Sequence, residues 1–500
     1  MGHTSTTAPS WAERAAALQF ETRAFIGGRY VAALSGATFD SINPANGKLL
    51  TRVAACERAD VDAAVASAAA AFRAGSWADQ PPAKRKRVLL KFAELIMQHR
   101  EELALLETLD VGKPISDSLK VDIPAAANCI RWYGEAVDKL YDEVAPTGPG
   151  ALATITREPM GVVGAIVPWN FPLLMAAWKI GPVLAAGNSL VLKPSEKSPL
   201  TAIRLAQLAV EAGLPEGVFN VVPGFGHTAG QALALSMEVD CITFTGSTAT
   251  GKKVMEFAAR SNLKRVSLEC GGKSPNIVMA DCADLDKAAQ AAADAIFFNQ
   301  GEMCSAGSRL LVQEPIRDAL LEKVVALGRQ LIAGDPLDPT TRLGAIVDAQ
   351  QMQRVLGYIE AGRAEGARLQ IGGSQVRQSS GGFFIEPTVF SDVQPAMRIA
   401  SEEIFGPVLA AISFRSAQEA IDIANGVVYG LAAAVWTRDV TTAHRMSRAL
   451  RAGTVYVNCY DADDITVPFG GYKQSGMGRD KSLHAFEKYT ELKTTWLDLS

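Results

Sequence analysis

From residue 161 onward the chain alternates between short apolar runs and longer amphipathic stretches. GVVGAIV (161–167), SLVLK (189–193), GVFNVV (217–222) and DCITFT (240–245) are rich in β-branched residues and end in turn or polar residues. Strands covered on both faces read this way, so the runs predict parallel strands in a buried sheet. Between the second and third runs, Ser198 and Pro199 open the segment TAIRLAQLAVEAGLP, and Gly213 and Pro215 close it, the signature of a capped helix. Thr248 to Asn262 repeats the helical spacing. A βαβαβ unit of this kind binds its ligand at the carboxyl ends of the strands.

Upstream lies a helix-rich region. An alanine-rich helix is predicted over Asp60 to Arg73 and a second over Lys84 to Leu109, the basic run Lys84 to Arg87 being its solvated start. Beyond Gly272 a second alternation runs from Val312 to Trp436, which predicts a second α/β domain. Pro146 to Arg157 and Glu487 to Leu499 alternate like lone strands. Lone strands need a partner sheet, which an oligomer can supply. Gly161 to Trp178 is uncharged over eighteen residues, but Pro168 and Pro172 interrupt it, so a strand, turn and buried helix account for it without a membrane.

With 500 residues, 48% hydrophobic and 20% charged, the chain can fill several cores, and a net charge of -4 offers no basic field for nucleic acid or an anionic membrane. The seven cysteines contain no CxxC pair, which argues against zinc or any other metal site and against a disulfide framework; a reducing cytoplasm is expected. The opening residues lack the cationic and apolar regions of a secretory signal, and the Gly2 and Thr6 match to a myristoylation pattern is read as chance.

The candidate nucleophile is Cys304, in FFNQGEMCSAGSR, where small and polar neighbours leave room for a substrate and allow activation of the thiol. Glu269, in LECGGKSPN, is a possible base. Asn170, between the prolines of PWNFP, presents an amide able to donate to an oxyanion, unless it is a simple turn residue. Lys193 and Glu196 end the second strand, where a carboxylate can accept both hydroxyls of an adenosine ribose and repel a 2′-phosphate. Gly224, Gly226 and Gly230 form an imperfect dinucleotide fingerprint. Ser247, in FTGST, stands at a helix N-terminus suited either to a pyrophosphate or to a plain N-cap. A thiol, an amide donor, a carboxylate and a dinucleotide site together fit addition of a cysteine to an aldehyde, hydride transfer to nicotinamide and hydrolysis of the thioester.

PWNFP, FTGST, LECGGKSPN, FNQGEMCSAGSR and EEIFGPV, in this order, resemble the NAD(P)-dependent aldehyde dehydrogenase superfamily over nearly the whole chain. The resemblance implies an α/β fold with a Rossmann-like NAD-binding domain (1–138 and 161–271), a catalytic α/β domain (272–472), and a β oligomerisation arm with its C-terminal strand (139–160 and 473–500). It implies a homo-oligomer, dimer or tetramer. By motif, Cys304 resembles the nucleophile, Glu269 the general base, Asn170 with the Cys304 N–H the oxyanion hole, and Lys179 the lysine of the water and proton path. Val167, Trp169, Lys193, Glu196, Gly226, Gly230, Ser247, Cys270, Glu403 and Phe405 match the cofactor positions, and Glu196 leans the choice towards NAD. Asp480 stands where many relatives have Glu.

The substrate reading rests on the loop VNCYDADDITVPFGG. Asp463, with Asp461, Asp464 and possible help from Asp122, suggests a cationic tail on the aldehyde, while Phe171, Met175 and Trp178 are expected to hold its aliphatic stem. Stretches such as LKPSEKSPLTAIRLA and GRDKSLHAFEKYTELKT are similar to bacterial enzymes of polyamine catabolism, which act on γ-glutamylamino-, guanidino- or amino-aldehydes. A broad aliphatic specificity, with the acids merely solvated, and a non-catalytic NAD-binding protein on the same fold are the competing readings.

Overall fold

The structure, a computed structural model, describes residues 9–500. Gly2 and Thr6 and the rest of the opening segment lie outside the described residues. Eight strands form the first sheet in the order Arg29–Val31, Ala24–Ile26, Phe219–Val221, Ser189–Lys193, Val162–Ile166, Cys241–Thr245, Arg265–Glu269, Gly476–Met477. The five central strands are parallel and the outer ones antiparallel. Every residue of Val162–Ile166, Ser189–Lys193 and Cys241–Thr245 is buried, because helices cover both faces. Strand order runs outward in both directions from Val162–Ile166, so a crevice opens at its carboxyl end.

The second sheet has seven strands, ordered Arg368–Ile371, Thr388–Ser391, Val408–Phe414, Arg309–Gln313, Pro275–Val278, Ala432–Trp436, Thr454–Val457, parallel except at the Arg368–Ile371 edge. The chain passes from the first sheet to the second through residues 270–274, and the segment bearing Cys304 immediately precedes Arg309–Gln313.

Three sequence expectations change. The helix expected from Lys84 to Leu109 is two, Pro82–Gln98 and Arg100–Val111. At His99 the backbone leaves helical values (φ -97°, ψ 17°), and its ring lies 2.8 Å from Glu102 and 3.3 Å from Arg204. The apolar spacing continues across the break and hides it. The two lone strands partner each other: Thr490–Asp498 runs antiparallel along Ala151–Pro159, with Glu143–Ala145 on the far side. Of the segment 473–500, only Thr490–Asp498 joins this three-stranded sheet. Gly476–Met477 extends the first sheet, the Cys270 N–H donates to the Ser475 carbonyl at 2.9 Å, and Ala485, Phe486 and Tyr489 enter the main core. Among the described residues no helix is long and apolar enough to cross a membrane.

Candidate active site

The loop after Val162–Ile166 holds Asn170 between Pro168 and Pro172, and Pro172 is the first residue of the helix Pro172–Ala185, where its missing N–H costs nothing. Glu269 is the last residue of Arg265–Glu269. Cys304 follows a kink in which Asn299 and Gln300 take left-handed values, φ 48° and 57°. That strain is held by side-chain bonds. Asn299 Nδ2 donates to the carbonyls of Asn170 and Glu302 at 3.1 Å each, Gln300 Oε1 accepts from the Gly344 N–H at 2.8 Å, and Glu302 Oε1 accepts from the Val347 N–H at 3.1 Å. Asn170 Nδ2 donates to the Glu302 carbonyl at 2.8 Å, leaving its second N–H free.

Cys304, Glu269 and Asn170 line one cavity of about 920 Å³. The Cys304 thiol is pushed well above its ordinary range by burial, then by the negative charges of Glu269, Glu403 and Asp461. Burial, then the charge of Asp480, raise the Glu269 carboxyl to about 8, against the pull of Lys179, Lys488 and Arg479. Its Oε1 is buried without a partner, free to take a proton. Lys179 does not reach the cavity wall but is bonded to Asp480, which also accepts from Lys488. Burial opposes the charge on Asp480, yet the two ammonium groups hold it below the usual carboxylate range.

Of the cofactor positions, Trp169, Ser247, Cys270, Glu403 and Phe405 line the cavity, whereas Val167, Lys193, Glu196, Gly226 and Gly230 lie farther along the strand ends. Trp169 and Phe405 meet edge to face, centroids 5.2 Å apart. Glu403 Oε1 accepts from the Gly272 N–H at 3.0 Å, and any Cβ at Gly271 would come within 2.1 Å of the same carboxylate. Burial raises Glu403 to about 7. Lys193 Nζ donates to Glu196 Oε2 at 3.2 Å. Ser247 Oγ is the N-cap of Thr248–Ala259, accepting from the Thr250 N–H at 3.3 Å.

These residues fit a dinucleotide. A Cβ at Gly226 would project into open space and one at Gly230 would touch only Ile166, Lys193 and Phe225 at 3.9–4.0 Å, so the mouth of the crevice is clear. Thr245 Oγ1, on the cavity wall, is buried and unpartnered. Glu196 would take the ribose hydroxyls and the N-terminus of Thr248–Ala259 the pyrophosphate.

On the substrate side Phe171, Met175 and Trp178 line the cavity, together with Phe469, which packs on Trp178 at 5.2 Å. Two expected acids do not. Asp122 is fully buried and bonded to Lys113; Asp117, Val121 and Ala125, spaced four apart, form the helical face that looks into the cavity. Asp464 spends its carboxylate on Thr466, accepting from N at 2.8 Å and Oγ1 at 2.6 Å. Asp463 does line the cavity, but is bonded to the buried Lys481. Asp461 has a weaker tie, accepting from Ser305 Oγ at 3.3 Å, and the protein crowding its carboxyl, followed by the charge of Asp463, raises it to about 6. Asp117, Asp294, Lys287 and Arg342 on the wall were not anticipated. Helical spacing from Val121 would have found Asp117; the others stand on segments with no motif.

Residues 30–495 match the aldehyde dehydrogenase family. The NADP/NAD-dependent aldehyde dehydrogenase PuuC of Escherichia coli (strain K12) is 55% identical over 489 residues, 98% of each chain. Among solved structures, the indole-3-acetaldehyde dehydrogenase AldA of P. syringae, a cysteine-to-alanine mutant in complex with NAD+ and IAA, superposes with a TM-score of 0.98 at 61% identity, covering 98% of this chain and 100% of that one. γ-Glutamyl-γ-aminobutyraldehyde dehydrogenase from Burkholderia cenocepacia J2315 gives 0.97 at 62% identity, covering 98% and 99%.

Proposed function

Because the chain belongs to the aldehyde dehydrogenase family and is an NAD(P)-dependent aldehyde-oxidising enzyme, we propose that Cys304, Glu269 and Asn170 carry the chemistry and that amino-, guanidino- or γ-glutamylamino-aldehydes are its substrates. The observation that carries the first part is that these three side chains, from three separate segments, line one cavity. Glu269 takes the thiol proton as Cys304 Sγ adds to the aldehyde carbon, and the free Asn170 N–H, with the Cys304 backbone N–H, receives the oxyanion of the thiohemiacetal. When bound, NAD(P)+ supplies the acceptor for the hydride whose loss converts the thiohemiacetal to a thioester. Glu269 then gives the thiol proton up to solvent and takes one from water as hydroxide adds to the thioester; the C–S bond breaks, the acid ionises to solvent as the carboxylate leaves, and the Cys304 thiolate recovers a proton from Glu269.

Support for the substrate class comes from the name of the B. cenocepacia relative and from the acids on the cavity wall, among them Asp461, which accepts a bond from Ser305 Oγ. A second reading, a neutral aldehyde, is favoured by the Lys481 partner of Asp463 and by the indole-3-acetaldehyde dehydrogenase at 61% identity. Specificity constants for matched aldehydes with and without a terminal cation decide between them.

The first sheet then serves as the NAD-binding half and the second as the catalytic half. Trp496, Leu492, Leu497 and Leu499 are exposed along the C-terminal strand, which supports subunit association through the arm, in a dimer or tetramer. Cytoplasmic location fits the seven unpaired cysteines.

A further inference from the structure

A buried ionic cluster behind the oxyanion loop has no part in these steps. Lys113, Glu107 and Asp122 have no exposed side-chain surface. Lys113 Nζ donates to Asp122 and lies 3.8 Å from Glu107 Oε1. The same ammonium stands 3.7 Å from the centre of the Phe171 ring, close enough for a strong cation–π contact in a dry site. Glu107 Oε2 accepts from the Leu173 N–H at 3.2 Å. Phe171 directly follows Asn170, and Leu173 lies one residue past the helix-starting Pro172. The cluster therefore holds the residue beside the oxyanion amide by its ring and the start of the next helix by its amide.

Such a cluster is costly to bury, and apolar side chains of the same volume would serve packing alone as well or better. Glu107 Oε1 and Asp122 Oδ1 even lack hydrogen-bond partners. Burial, then the charge of Asp122, push the Glu107 carboxyl well above its ordinary range. What the ions add over an apolar plug is direction: Lys113 fixes the height of the Phe171 ring, and Glu107 fixes the Leu173 amide.

We propose that Lys113, held by Asp122 and Glu107, is a positioning residue for the oxyanion hole: it grips Phe171 so that the Asn170 amide stays aligned between the Glu302 carbonyl and Cys304. This rests on Asn170 being the oxyanion donor. Misplacing a donor by about 1 Å slows reactions up to about a hundredfold, so the effect belongs in the acylation rate and not in cofactor binding.

The test measures the rate of the pre-steady-state NADH burst and the Kd for NAD+ in Lys113→Met, Asn170→Ala and the double variant. Lys113→Met is expected to slow the burst at least about fivefold with the NAD+ Kd within about twofold of wild type. The double variant is expected to be no slower than Asn170→Ala alone, because Lys113 acts through that amide; a merely structural role would make the losses multiply. A burst slowed less than about fivefold, losses that multiply, or a burst and NAD+ affinity that fall together would each overturn the proposal. Should Lys113→Met fail to fold, Asp122→Asn, which keeps the shape and loosens the ammonium, is expected to slow the burst at least about threefold, and a smaller change overturns it. An unchanged burst in Asn170→Ala would remove the reading of Asn170 itself and the proposal with it, while a wild-type enzyme that forms no NADH in a single turnover would remove the proposed chemistry.

Discussion

The side-chain amide of Asn170 donates to the backbone carbonyl of Glu302 at 2.8 Å, two residues before Cys304. One N–H of the amide is thereby anchored and the other is left for an oxyanion. Asn170→Ala is expected to lower kcat by about a hundred- to a thousandfold, the loss of one preorganised donor, with little change in KM. Steady-state kinetics on the folded variant check this, and a loss confined to KM would place Asn170 in substrate binding.

Glu269 titrates near 8 because it is buried and faces Asp480, and as the base it must be ionised. Activity should therefore rise with pH through about 8, the limb vanishing in Glu269→Gln. Because Glu269 also takes the Cys304 proton in these steps, that variant should lose the NADH burst together with turnover. Asp480→Asn removes a negative charge that holds the Glu269 proton, so its limb should move to lower pH. Stopped-flow traces and pH–rate profiles decide both, and an unmoved limb in Asp480→Asn would mean that the titrating group is not Glu269.

Glu196 bears on cofactor choice. Its charge, shared with Lys193, would oppose a 2′-phosphate, so NAD should exceed NADP by at least about tenfold in kcat/KM, about 1.4 kcal/mol. Glu196→Gln should narrow the gap. Equal use of the two cofactors by the wild type would show that Glu196 points away from the ribose.

For the substrate, the structure moves the weight from Asp463 to Asp461. Asp463 is already bonded to Lys481, whereas Asp461 has only Ser305 Oγ. Asp461→Asn should lower kcat/KM for cationic aldehydes by about ten- to a hundredfold and leave hexanal unchanged. Equal losses on both would favour a neutral substrate.

How far the chain could be read without coordinates follows from what each feature depends on. Ser189–Lys193 is the run SLVLK to the residue, since a strand buried on both faces writes its own apolarity. The break at His99 is hidden because the apolar stripe runs through it, and one of its ring's partners, Arg204, comes from a distant segment. The sequence points to Asp122 for the cavity where Asp117 stands, one helical phase away, next to the wider turn at Ser118–Asp122. Pairing of Thr490–Asp498 with Ala151–Pro159 spans more than three hundred positions, and no local pattern encodes it. The site followed the same rule: motif residues were legible, and partners such as Lys481 for Asp463, contributed by another segment, were not.

The most direct test of the account is Cys304→Ala, assayed for NADH formation with a saturating aldehyde and for NAD+ binding by titration. In the proposed steps Cys304 is the nucleophile, and the one other thiol on the cavity wall is that of Cys270, which burial raises to about 12. The account predicts unchanged NAD+ affinity and no burst or turnover above background. Turnover within about tenfold of wild type would contradict it, because oxidation would then proceed without the thiohemiacetal.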